Sequence, residues 1–122
     1  MEEISLQDLK EGMSIEVQAI RETTKKFRAI DKTTGQLEKD TSSAHVFVIR
    51  GLLNGNEMQM PLTEGTAMHS EFLDYCTENN IRTTADGLNL KFTVGIVKSR
   101  SSRYSYPVFQ EIYGKSYDSL FE

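Results

Sequence analysis

The sequence has one cysteine, Cys76, and two histidines, His45 and His69. It therefore has neither an internal disulfide framework nor a repeated-Cys zinc pattern. It contains no H-x-x-x-H, no G-x-S-x-G, no Gly-rich phosphate loop and no Asp/Glu/His cluster at metal spacing, which removes the common hydrolase, metalloprotease and nucleotide-binding readings. A carboxylate nuclease with ligands far apart in sequence is the one enzymatic reading left open. The expectation is a non-enzyme without metal or cofactor. His45 reads as a strand-surface residue, His69 as a helix-surface residue, and Cys76 as a buried structural thiol. No apolar run approaches the roughly 18 residues that span a bilayer, and Met1-Glu2-Glu3 lacks the basic start and apolar core of a secretion signal. The expected location is the cytoplasm, at the nucleoid, with no membrane contact.

A chain of 122 residues is expected to form one domain that buries about two-thirds of its unfolded surface. Residues 1–113 read as that domain and 114–122 as a short flexible tail. The formal net charge of −4 argues against gripping duplex nucleic acid with the whole surface. The acids are segregated, however. Between Leu88 and Gln110 there are four Lys or Arg (Lys91, Lys98, Arg100, Arg103) and no Asp or Glu. This local anion site is followed by Tyr104 and Tyr106, which at strand spacing point to one face.

Along the chain, residues 4–12 read as a short helical turn or an extended arm ended by Gly12. Alternation of Ile15 and Val17 with polar residues gives a first strand through Ile20, after which residues 21–26 turn polar. Residues 27–31 suggest a short second strand, stopped by the turn D-K-T-T-G at 31–35. Residues 35–43 read as a mobile loop, and 44–50 as a strong strand rich in β-branched and aromatic residues. Asn54-Gly55 is a favoured hairpin dipeptide. Met58, Met60 and Leu62 continue the alternation, with Pro61 marking an edge. One helix is expected from about Thr66 to Asn79, with Met68, Phe72, Tyr75 and Cys76 on one stripe, Thr63 or Thr66 as cap, and Asn79-Asn80 as its end. Leu88 to Ile96 alternate as the next strand, with Gly95 at a bulge or bend, and 104–113 form the last. There is no internal repeat. A lone helix before the last two strands of an antiparallel chain is the element order of an OB-type barrel: mostly β, five to six antiparallel strands, one helix.

The opening I-S-L-Q-D-L-K-E-G-M-S-I-E-V (Ile4 to Val17) resembles the entry to OB domains of single-stranded DNA-binding proteins related to replication protein A and their archaeal counterparts. D-K-T-T-G at Asp31 to Gly35 is similar to the Asp-x-Thr-Gly turn between that family's second and third strands. The two motifs cover about the first third of the chain. The loop after Thr34-Gly35 is longer than the family's, and a strand candidate at 57–62 is additional to it. The resemblance implies an OB-fold protein of the single-strand-binding type, acting in replication, repair or recombination.

In such a barrel two loops flank the nucleic-acid groove, and here they read as 21–28 and 98–106. Both are basic and both end in aromatic residues. Lys25, Lys26, Arg28, Arg50, Lys91, Lys98, Arg100 and Arg103 are the candidates for phosphate. Phe27, Tyr104 and Tyr106 are the candidates for base stacking, each worth ~1–3 kcal/mol if it stacks. Phe47 reads as either core or platform, on the strand face opposite Arg50. The expected partner is single-stranded DNA, with RNA as an alternative strand and a homo-oligomer compatible with either. The tail Tyr117 to Glu122 is similar in character to the acidic, Phe-containing tips by which bacterial single-strand-binding proteins recruit partners. The alternative is an OB-type protein-interaction subunit with little nucleic-acid affinity of its own.

Overall fold

A computed structural model describes residues 1–37, 41–99 and 104–113. The elements in chain order are β1 (Glu2–Glu3), a 3-10 turn (Leu6–Asp8), β2 (Ser14–Phe27), β3 (Ser42–Leu53), β4 (Asn56–Thr63), α1 (Ala67–Glu78), β5 (Leu90–Lys98) and β6 (Ser105–Phe109). They form one sheet in the order β1-β4-β3-β2-β5-β6. It curls into a half-barrel with the helix before the last two strands, the OB-like architecture expected from the element order.

Two corrections concern the strands. The sequence divides residues 14–31 into a strand, a loop and a second strand, whereas β2 runs unbroken to Phe27 and pairs with β3 from Ile15↔Leu53 to Phe27↔Ser42. Beyond Ile20 every β2 residue is exposed, so hydrophobic alternation vanishes there. Ladder hydrogen bonds, which need no particular side chain, continue the strand. The connecting loop is consequently 28–41, where Asp31 Oδ1 accepts the Thr33 N–H at 2.8 Å and Ile30 bridges to Leu37. The strand candidate at 57–62 is not additional to the barrel, since β4 is its third main strand.

Other elements match their local chemistry. Asn54 and Gly55 both have positive φ (50° and 84°) and join Leu53 to Asn56 in a two-residue turn. The Thr66 hydroxyl accepts the His69 N–H at the start of α1. At its end Asn80 takes φ 55° while the Ile81 N–H reaches the Cys76 carbonyl at 2.8 Å, a Schellman closure with asparagine in the left-handed position. Gly95 sits in regular register opposite Val108, without the bulge expected of it.

The core lies between the inner sheet face and α1. Phe72 on the helix meets Phe47 at 5.8 Å, Phe92 at 6.3 Å and Phe109 at 5.8 Å between ring centroids. Such offset and edge contacts add to the burial of large apolar area. Glu71, beside Phe72, accepts the Phe109 N–H at 3.2 Å and ties α1 to β6. The sheet ends in β1 on one side and β6 on the other. From β1 the chain sends Ile4 and Leu9 into the core, while Leu6 lines a cleft with Tyr106 and Pro107 of β6. The N-terminal segment thus occupies the seam between β4 and β6. Among the described residues no helix is long and apolar enough to cross a membrane. The tail at 114–122 lies outside the described residues.

Candidate nucleic-acid interface

Paired residues on neighbouring strands share a sheet face, so the register defines what the outer face carries. Ala19↔Arg50, Arg50↔Gln59 and Glu3↔Gln59 make one row across four strands, and Arg21↔Val48↔Pro61 make the next. Lys25 and Phe27 continue this face along β2 by alternation. The Arg50 Nε–H donates to Gln59 Oε1 at 2.9 Å. This ties the exposed guanidinium to the neighbouring strand at the sheet surface. Arg21 donates to the Asp86 carboxylate at 2.7 Å and to the Ala85 carbonyl. The face is not bare throughout, because Ala44 and Val46 are buried. At the β4 side, Glu3 and Asp8 join Val48, Gln59 and Pro61 around a cleft of about 430 Å³. The Ser5 backbone and hydroxyl donate to Asp8 and hold its carboxyl below the usual range.

The expected site residues divide. Lys25 and Phe27 share the outer face of the projecting end of β2, with Phe27 43% exposed, and Arg28 follows them. Lys26, paired with Ser43, points to the other face. Phe47 is a correction: it is 0% exposed, its ring stacks on His69 at 5.2 Å and it packs edge-on to Phe72. No base can reach it, and it belongs to the core. Lys91 pairs with Glu16, about 23 Å along β5 from Lys98 at the strand rise of about 3.3 Å per residue, so it stands apart from the loop cations. Lys98 pairs with Ser105, and the Ser99 N–H closes on the Tyr104 carbonyl at 3.1 Å. Tyr104 is 79% exposed. Tyr106 is half-buried and lines the seam cleft with Leu6, Thr66, Ala67 and Pro107. Arg100 and Arg103 lie outside the described residues.

Strand directions place the two connections at opposite ends of the ladder. The 28–41 loop follows Phe27, where β3 begins. The connection from β5 to β6 follows Lys98, in the direction in which β3 ends. The outer face of β2, β3 and β4 runs from one end to the other. Arg21 and Gln59 were not foreseen as part of it. Strict alternation from Ile15 and Val17 puts Arg21, Thr23, Lys25 and Phe27 on the core face, and only the bulge between Val17 and Ala19 turns them outward, so no signal in the sequence marks them.

The architecture defines an OB-like half-barrel with a partly cationic outer face. No protein family, no curated protein and no solved structure matches the chain.

Proposed function

We propose that the chain binds single-stranded DNA, with RNA as the alternative strand, without catalysis and with little sequence preference. Its role is then to hold exposed single strands in replication, repair or recombination. The observation that carries this reading is the shared face of Arg21, Lys25, Phe27 and Arg50. It offers cations to phosphates and a ring to a base on one ladder, the combination that single-strand grooves use. Tyr104, just before β6, adds a second exposed ring. A fluorescence titration with oligothymidine, repeated at two salt concentrations, tests the proposal. Affinity is expected to fall steeply with salt and to fall again in Tyr104→Ala. Absence of binding at low salt would refute it.

A second reading is favoured by a separate observation. Phe27, Ile30 and Leu37 are exposed (43%, 65% and 59%) at and just after the end of β2, and grouped apolar exposure marks contact surfaces. On this reading the domain is an interaction subunit whose 28–41 loop docks on a protein. A pull-down that recovers a stoichiometric partner, lost in Ile30→Ser/Leu37→Ser, together with no oligonucleotide affinity, would select it.

A further inference from the structure

Beyond Val17 the edge of β2 that faces away from β3 is largely bare among the described residues. β5 lies against it only from Ser14 to Val17. Further along, the Leu88 N–H reaches the Gln18 carbonyl, and Ala85 exchanges both backbone hydrogen bonds with Ile20. The chain bends at Thr83 and Thr84, and from Glu22 to Phe27 no described backbone group pairs with this edge. Hydrogen-bonding direction alternates along a strand. Ile20 turns its N–H and C=O away from β3, and Glu22, Thr24 and Lys26 therefore do the same. Every residue from Arg21 to Phe27 is exposed, so the edge is a template for a further strand.

The outer edges of β4 and β6 are blunted by proline. On β4, the Gln59 carbonyl faces outward to accept the Ile4 N–H, so Pro61 faces outward too and has no N–H to offer. On β6, the Phe109 N–H faces outward to Glu71, which turns Pro107 outward as well. From Arg21 to Phe27, β2 has neither a proline nor a bulge.

We infer that this edge pairs with the same edge of a second copy of the chain, antiparallel about a twofold axis at Thr24, to make one continuous sheet.

Charge selects both the occupant and the register. In a twofold interface the same residues stand on both sides, and the outward-facing Glu22, Thr24 and Lys26 must meet one another. With Thr24 opposite its own copy, Glu22 stands opposite Lys26, and Arg21 opposite Phe27. Opposite charges across a ladder attract, and a guanidinium beside an aromatic ring is favourable. Sliding one chain by two residues sets Lys25 against Arg21 in one direction and against its own copy in the other, and like charges directly opposed are unfavourable. Length agrees as well. β2 ends at Phe27, so the second copy's strand stops opposite Arg21 and leaves Ala85 its place beside Ile20. The Glu22 carboxylate is already held, 2.7 Å from His45 Nε2 and accepting the Thr83 hydroxyl. His45 in turn meets His69 of α1 at 2.8 Å, and His69 is buried rather than on the helix surface as read from the sequence. The pairing stands without the nucleic-acid reading, and it brings the outer faces of both copies to one side of the joined sheet.

The test is sedimentation velocity of the chain without oligonucleotide, from about 1 μM to about 1 mM. A reversible monomer–dimer equilibrium is expected. Thr24→Pro removes an N–H that β3 does not use, so it should abolish the dimer and leave the circular dichroism spectrum unchanged. Glu22→Lys and Lys26→Glu are each expected to weaken the dimer about 10-fold or more. An equimolar mixture of these two variants should recover it, which loss of fold would not allow. A chain that stays monomeric throughout would overturn the assignment and leave the edge to a strand of another protein. A dimer indifferent to Thr24→Pro, or no recovery in the mixture of folded variants, would overturn it equally.

Discussion

Gly51 lies against the Glu16 carbonyl so closely that a Cβ at this position would overlap the carbonyl oxygen. The contact falls where β2 bulges between Val17 and Ala19, the point at which that strand stops serving β5 and continues along β3 alone. The bend that curls the sheet is therefore possible only with glycine on the facing strand. Gly51→Ala is expected to cost about 3 kcal/mol or more, since backbone cannot retreat as a flexible side chain can. Urea denaturation of the two proteins checks this.

Phe27, a stacking candidate, and Phe47, which the sequence reads as either core or platform, are expected to separate cleanly. Phe47→Ala empties the core and should cost about 3–5 kcal/mol of stability. Phe27→Ala should leave the urea midpoint nearly unchanged while weakening oligothymidine by ~1–3 kcal/mol if the ring stacks. Paired denaturation and binding measurements distinguish the two.

Arg50→Gln removes one outward cation from the β3 face. Oligonucleotide affinity should drop for all sequences alike, and the slope of log affinity against log salt should shrink by about one. Arg21→Gln breaks an exposed ion pair worth about 1 kcal/mol at most. Its stability effect should therefore be small beside its effect on binding. Salt-dependent titrations of both variants provide the comparison.

Burial raises the Glu71 carboxyl from its ordinary 4.5 to about 7, only partly offset by the Phe109 N–H. Its second oxygen is buried and has no hydrogen-bond partner among the described residues. In the folded chain this group stays protonated between pH 4.5 and 7, whereas in the unfolded chain it ionises. Stability from it is thus full below about pH 4.5, declines as pH rises through 7, and levels off above. Melting temperature should fall between pH 5 and pH 8, and Glu71→Gln should flatten that decline.

Legibility in the sequence followed hydrophobic contrast. The Met68-Phe72-Cys76 stripe and its Thr66 and Asn79 ends placed α1 within a residue of Ala67–Glu78. Asn54-Gly55 announced its own turn because it takes the positive φ that other residues resist. The second half of β2 was hidden because Arg21 to Phe27 are solvated on both faces, so no periodic burial marks the strand. Phe47 could not be assigned to a face before its pairing with Glu22 and Leu62 was known. His45 and His69 are 24 residues apart, and only the packing of α1 under β3 brings them together.

The seam between β4 and β6 sets the order in which this domain opens. β2, β3 and β4 are joined by long ladders, and β5 and β6 by shorter ones, whereas the outer edge of β4 is guarded by the two residues of β1 and one further amide, Ile4 N–H to the Gln59 carbonyl. Amide exchange should therefore begin along that edge, when the N-terminal segment lifts, while the β2–β3 ladder remains protected until global unfolding.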